Sequence, residues 1–443
     1  MPISSFMGLQ TSLRGLLAHQ QAIDTTSHNV ANANTEGYSR QDAVLGATTA
    51  LEIAAGEFSA SGSAHIGTGV SVQAYRRIRD GFLDLQYRAQ AMQVGDQETR
   101  SMQLDQVELS LAEPSENGIA DQLSKFWNGW ADVSNSPDDI AARQALIDQA
   151  KNLAAAFATV NTQLTTVKTQ AAAEYAALTG AGGDVQAIAG EISTLNAAIK
   201  QFVSNGDSPN DLMDRRDVLL DKLSKLAQVR VTDLGNGSLQ VRLGDAAQPL
   251  VNDTTVNWPQ TLTAPGGKLG ALIDISKTGG VVDSYRADLN NVVKTLADSV
   301  NALHNPGGTG TNFFSYTIAN PAGTLAVVAT KTTVRTSSTA AAGANDIALA
   351  IAGLRGGNPD KLYTGFVTRV GGDLKNAQRG EVNATVLLNS IEDRRQSTSG
   401  VSMDEEMTNL VRFQRGYQAS ARTMSTMDQM LDTLINRTGI VGL

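Results

Sequence analysis

The sequence predicts a mainly α protein made of long helices, with coiled-coil strands at both ends and a smaller β-rich insertion. Three observations predict this. Apolar residues recur at heptad spacing at the two chain ends, a similar seam runs through a long interior stretch, and strict alternation of apolar and polar residues begins only at Val229.

In chain order, Phe6, Leu9, Leu13, Leu16, Ile23 and Val30 share one helical stripe, interrupted by Gln20 and Ser27. Leu123, Phe126, Trp127 and Trp130 fit the buried face of a short helix. Ser136-Pro137-Asp138-Asp139 then reads as a helix start, with a capping hydroxyl, a proline at the first helical position and acids beside the positive helix end. From there Leu146, Ala150, Leu153, Phe157, Val160, Leu164, Val167, Ala171 and Leu178 keep one seam, broken by Glu174, until Gly180, Gly182 and Gly183 end it. A second seam of Val185, Ile188, Ile192, Leu195, Ile199 and Phe202 follows those glycines, which suggests an antiparallel pair of helices. Val229 and Val231, then Leu239, Val241 and Leu243, alternate around Asn236-Gly237, a hairpin signal. Helical spacing returns with Tyr285, Leu289, Val292, Leu296, Val300 and Leu303, stops at Asn305-Pro306-Gly307-Gly308, and gives way to Thr-, Ala- and Gly-rich sequence. A polar-faced helix from about Asp360 to Arg395 precedes the last seam. There Met403, Leu410, Phe413, Tyr417, Met424, Met427, Leu431 and Leu434 fall on a and d positions, with Glu406 and Ser420 interrupting.

These patterns divide the chain into an N-terminal strand over 1–34, a helical core over 35–228 and a β-rich insertion over 229–265. A helical return over 266–310, a second β-rich half over 311–357, a last helical part over 358–404 and a C-terminal strand over 405–443 complete it.

Composition closes several routes. With no cysteine among 443 residues, disulfides, thiolate nucleophiles and Cys-held metals are excluded. Lys and Arg total 35 against 44 Asp and Glu, and a net charge of -9 opposes nucleic acid as a partner. The tightest basic cluster, Arg76, Arg77 and Arg79, is small. No apolar run is long enough for membrane insertion, and the N-terminus lacks the basic and apolar regions of a cleaved signal peptide.

Nor does a catalytic, metal or cofactor site emerge. His19, His28, His65 and His304 have no ligand spacing. Gly266-Gly267-Lys268-Leu269 resembles the end of a phosphate loop, but Leu269 stands where a magnesium-binding hydroxyl belongs, so a turn before a helix is expected. Asp138-Asp139 and Glu405-Glu406 sit at helix starts, where the helix dipole accounts for them.

The segments beside the terminal seams carry more. NVANANTEGYSR, from Asn29 to Arg40 and including Asn32, Asn34, Gly37 and Tyr38, resembles the motif that follows the first helix in flagellar rod, hook and hook-associated axial proteins. EEMTNLVRFQRGYQASARTMSTMDQMLDTLINR, from Glu405 to Arg437, is similar to that family's closing helix, with Arg415, Tyr417 and Gln418 in its distinctive run. FWNGWADVSNSPDDIAARQALI (Phe126 to Ile147) and DLMDRRDVLLDKLSKL (Asp211 to Leu226) resemble the hook-associated members in particular. The resemblance fades between about Gln248 and Gly266 and between Ser315 and Arg355.

The resemblance implies a structural, non-enzymatic subunit of the extracellular flagellum at the hook-filament junction, exported by the type III route that suits a cysteine-free chain. It implies terminal helices in an inner tube, a β-rich domain projecting outward, and a ring of copies of itself. Hook protein would lie on one side and a second hook-associated protein on the other, with an export chaperone on the C-terminal helix. The assembly interface would be Phe6, Leu9, Leu13, Leu16, Ile23 and Val30 with Leu410, Phe413, Tyr417, Met424, Met427, Leu431 and Leu434. The alternatives are the second junction protein, a distal rod subunit, or an enzyme with its site in the insertion.

Overall fold

The computed structural model describes residues 6–53, 64–116 and 118–437, so residues 1–5 and 438–443 of the expected terminal strands lie outside the described residues. Helix α1 (Phe6–Ala31) is followed by β1 (Gln41–Ala47), β2 (Leu51–Ile53), β3 (Ala64–Ile66) and β4 (Val70–Arg77). β1 pairs antiparallel with β4, and β2 with β3 further out, in one long hairpin arm. The helical core expected from residue 35 begins instead at Gly81, after these four strands. Val70, Val72 and Ala74 alternate with Ser71, Gln73 and Tyr75, a period-two signal that the helical reading overrode.

Long helices then build the body: α2 (Gly81–Leu111), α3 (Ile119–Asn135), α4 (Ile140–Thr179), α5 (Asp184–Ser204) and α6 (Asn210–Leu226). Asp80 and Asp139 cap α2 and α4, each carboxylate accepting a hydrogen bond from the backbone N–H two residues on at 2.8 Å. The cap of α4 is thus Asp139 rather than Ser136, because Pro137 lies before the first helical turn. The 40 residues of α4 bury Leu146, Ala150, Leu153, Phe157, Val160, Leu164, Val167 and Ala171, while Leu178 is half-buried. A meander of β5 (Val229–Asp233), β6 (Leu239–Leu243), β7 (Val251–Asn252) and β8 (Thr255–Val256) follows, its first turn using Gly235 and Gly237 at φ 75° and 86°. Next come α7 (Gly267–Ser276), α8 (Val281–His304), β9 (Phe314–Ser315), α9 (Pro321–Thr324), β10 (Ala326–Val327) and α10 (Asp346–Ala352). The chain closes with α11 (Asn358–Ser399), α12 (Met403–Asp432) and a π-helical turn (Thr433–Arg437). The molecule is mainly α, with long helices and small sheets.

Among the described residues, buried apolar side chains form three clusters. The largest joins α2, α3, α4, α8 and α11 around Phe126, Trp127, Trp130 and Tyr285. A second joins α5, α6 and the meander around Ile192, Ile199, Leu220, Leu223, Val241 and Leu243. The third is small and joins α1, α12 and the hairpin arm through Ala22, Ala43 and Phe413.

Three expectations change. α4 and α5 do not form a continuous antiparallel pair: their buried faces belong to different clusters, which meet where Tyr175 and Leu178 touch both. Phe202, expected in the second seam, is exposed. Residues 311–357, expected as the other half of a β-rich domain, hold two two-residue strands and pack on the helical body instead. The reason is aromatic. Phe313 lies 5.1 Å from Trp130 and Phe314 5.6 Å from Phe126, centroid to centroid, so this stretch covers the core of the long helices.

Candidate assembly interface

α1 and α12 run antiparallel. An added Cβ at Gly8 would meet Met427 Cε at 2.7 Å, one at Gly15 would meet Ser420 Oγ at 2.9 Å, and one at Gly416 would meet the His19 ring at 2.6 Å. Further along, Ala22 clusters with Phe413, and Asn29 bonds Glu406. Gly8, Gly15, Ala22 and Asn29 thus face Met427, Ser420, Phe413 and Glu406, in steps of seven along both helices.

This seam is made of small and polar side chains. Ser12, Gly15, Ala18, Ala22, Thr26 and Asn29 are the buried residues of α1. Small residues let the two backbones approach closely. Their hydroxyls cost little because each bonds a carbonyl one turn back: Ser12 to Gly8, Thr26 to Ala22 and Ser420 to Gly416. His19 fills the space that Gly416 leaves, beside Phe413 at 6.3 Å, and burial lowers its pKa.

The apolar stripe expected on α1 is displaced by one position from this seam. Phe6 and Leu13 are 58% and 42% exposed, while Leu9, Leu16, Ile23 and Val30 are half-buried along its border. On α12, Phe413 is buried and Leu410, Tyr417, Met424, Met427 and Leu431 are half-buried, while Leu434 in the π-helical turn is exposed. Glu406 and Ser420, which interrupt the apolar pattern, sit in the seam. Leu17, Met403, Met407 and Val411 add further exposed apolar surface. The hairpin arm covers another side of α1, where Arg14 donates to the Thr68 carbonyl at 3.0 Å and Ile23 packs with Leu45 and Val72.

The Asn29–Arg40 motif is a junction of hydrogen bonds. The Asn29 amide donates to the Gln41 carbonyl (2.8 Å) and to Glu406 Oε2 (3.0 Å), while its oxygen accepts from the Gln41 N–H (2.9 Å) and the Tyr38 hydroxyl (2.8 Å). Its full amide capacity is spent joining α1, the loop, β1 and α12. Burial, then Asp211, Asp214 and Glu406 nearby, raise the Tyr38 pKa, so it remains a donor. Arg40 reaches Glu405 at 2.6 Å and Glu406 at 2.7 Å, which balances a Glu406 side chain that is almost wholly buried. Asn32 closes the end of α1 by donating to the His28 carbonyl at 3.0 Å and accepting from Thr35 Oγ1 at 3.1 Å. Gly37 has φ +74° and leaves no room for a Cβ, which would meet Val218 at 2.0 Å. Asn34, Arg415 and Gln418 are exposed.

His304 sits in the main core with its Nδ1 3.1 Å from the Thr311 carbonyl and its Nε2 accepting from the Arg335 N–H at 2.9 Å, and burial brings its pKa down to about 4. Among the described residues no group of three or more metal-ligating side chains is placed to hold an ion, and no helix is long and apolar enough to cross a membrane.

The family described as "Flagellar hook-associated protein FlgK helical domain" matches residues 104–265, from within α2 to beyond β8. "Flagella basal body rod protein" matches 9–38, most of α1 and its loop, and "Flagellar basal body rod FlgEFG protein C-terminal" matches 394–437, the end of α11 with α12. Flagellar hook-associated protein 1 of Bacillus subtilis is 30% identical over 509 residues, covering 99% of each chain. The chain belongs to the flagellar hook-associated protein 1 family. The hook-associated protein 1 of Salmonella typhimurium is 29% identical over 334 residues, 69% of this chain and 58% of that one. That of Escherichia coli is 26% identical over 344 residues, 71% and 60% of the two chains. A solved structure, the flagellar hook junction protein FlgK from Burkholderia pseudomallei, aligns with TM-score 0.46 at 23% identity over 53% of this chain and 47% of that one. Within this hook-associated family member, the rod-type matches fall on the paired ends and the family-specific match falls on the body.

Proposed function

We propose that this chain is a structural, non-catalytic subunit of the hook-filament junction that polymerises through α1 and α12. One observation supports it above the rest. The intramolecular seam consumes small and polar residues and leaves Leu13, Leu17, Met403, Met407 and Val411 outward, on helices tied to the body by the Asn29–Arg40 loop. Covering such side chains contributes roughly 1.5 to 3 kcal/mol each. Neighbouring copies in a ring would supply that cover, with the half-buried Leu9, Leu16, Met424 and Leu431 at the margin. Full-length similarity to a protein named flagellar hook-associated protein 1 supports this location and, with it, hook protein and a second hook-associated protein as axial neighbours. Export by the flagellar type III apparatus and a chaperone on α12 belong to the same reading, since α12 presents apolar surface before assembly.

Complementation of a strain lacking the junction protein tests it. Leu13→Glu with Leu17→Glu should leave the purified monomer folded and exported but abolish attached filaments, with flagellin shed into the medium. Gln21→Glu, also exposed, should behave as wild type. Normal filaments from the double variant would overturn the assignment of this surface.

A further inference from the structure

α6 has two opposed faces. Leu219, Leu220 and Leu223 are buried with α5 and the meander, whereas Asn210, Asp211, Asp214, Asp217 and Val218 face the other way at helical spacing. That second face receives the terminal unit. Asp214 Oδ2 accepts from the Ser39 N–H at 2.9 Å and its Oδ1 from Arg77 Nη1 at 2.8 Å, where β4 ends. Asp217 lies 3.0 Å from Arg77, 3.1 Å from Arg79 and 3.1 Å from Arg88 of α2, so it joins the hairpin arm to the body. Asp211 accepts from Gln41 Nε2 at 2.7 Å, and Asn210 Nδ2 donates to the Gln41 side chain and the Tyr75 carbonyl, each at 3.1 Å. Val218 seats against Gly37, in the one place where the loop has no side chain.

We infer that this acidic face of α6 sets the angle at which the paired terminal helices leave the body, with Asp214 and Asp217 as the positioning residues. The chain crosses between the two units near Arg77 and near Ser399; α6 holds the first crossing and the neighbouring loop at Ser39, and at the second its Asp221 pairs with Arg395 of α11 while the Ser399 carbonyl accepts from the Arg40 N–H. Paired, desolvated carboxylates hold a direction in a way that apolar contact does not, because each missing partner leaves a buried charge. Since the apolar face of α6 carries the meander, the same helix also fixes the β-rich domain relative to the terminal pair.

The chain has no cysteine, so paired nitroxide labels can be introduced cleanly. Ser425→Cys on α12 with Gln201→Cys on α5 spans the angle, and Gln201→Cys with Lys361→Cys on α11 reports on the body, all three positions being exposed. In the full-length monomer, Asp214→Asn with Asp217→Asn should widen the first distance distribution by about twofold and leave the second unchanged. Asp211→Lys, at the exposed edge of the same face, should widen the first distribution to a smaller extent without touching the buried pairs. An unchanged first distribution in both variants would overturn the inference. So would equal widening of both label pairs by Asp211→Lys. The measurement uses isolated monomer, so its outcome is separate from whether the chain builds junctions.

Discussion

Asn29 shows how a single side chain can specify a joint. An asparagine is needed because two donors and two acceptor lone pairs must point to a strand backbone, a tyrosine hydroxyl and a carboxylate together. Aspartate would present a second negative charge to the buried Glu406, and alanine would take the acceptor from the Gln41 N–H and one of two partners from the Tyr38 hydroxyl, which also lies 3.0 Å from His28 Nδ1. Asn29→Ala should therefore lower the local stability of the joint by roughly 2 to 4 kcal/mol. Amide exchange at Gln41, whose N–H it binds, measures this directly; unchanged protection would contradict the role. His304 makes a pH-dependent case. Its pKa falls from 6.5 in the unfolded chain to about 4 in the fold, so between those values the unfolded chain takes up a proton that the folded one does not. The stabilising effect of the neutral ring is complete above pH 6.5 and is lost as pH falls toward 4. The thermal advantage of wild type over His304→Gln should shrink across that window; a constant difference would show that the ring does not titrate as its burial demands.

At the scale of elements, the pairing of α1 with α12 depends on glycine where the backbones approach. At Gly416 an added methyl meets the rigid His19 ring, whereas at Gly8 and Gly15 it meets only the movable ends of Met427 and Ser420. Gly416→Ala should accordingly destabilise the pair by about 1 to 3 kcal/mol, even after the helix-propensity gain of alanine. Gly8→Ala should be close to neutral, and His19→Ala should rescue Gly416→Ala. Amide exchange across both helices, combined as a double-mutant cycle, checks this; additive effects would mean the two residues do not meet as described. The same contrast explains what the sequence made readable. In α4 the heptad residues are apolar and also buried, so period and core coincide. In α1 the buried residues are Ser12, Gly15, Ala18, Ala22, Thr26 and Asn29, small or polar side chains with little hydrophobic signal, and the large apolar stripe beside them is half-buried or exposed. The Asn29–Arg40 and Glu405–Arg437 motifs mark segments that meet in the fold. The bonds that Asn29, Arg40 and Glu406 make were not readable, since they join residues from opposite ends of the chain.

For the whole molecule, the terminal unit and the body have separate buried clusters, so they should separate as fragments. Residues 78–401 keep the two large clusters and should fold alone, with a thermal transition within about 5 °C of the main transition of the full chain. A fragment that begins near Thr35 retains the hairpin arm, whose Ala43, Leu45 and Val72 lose α1 and Phe413, and should self-associate instead. Sedimentation of the two fragments distinguishes these outcomes; equal behaviour would mean that the arm belongs to the body. The arm and the aromatic lid at 311–357 are the parts of the architecture least legible in the sequence. One is a pair of short alternating runs, and the other depends on Phe313 and Phe314 meeting rings far away in the chain. The proposed role places this chain in the hook-filament junction through its paired terminal helices. A cryo-electron microscopy map of an intact junction from cells expressing it tests that most directly. A ring of this chain with α1 and α12 innermost and Leu13, Leu17 and Met407 against neighbouring subunits is the expected result, whereas a junction built without this chain, or with those residues facing solvent, would overturn the assignment.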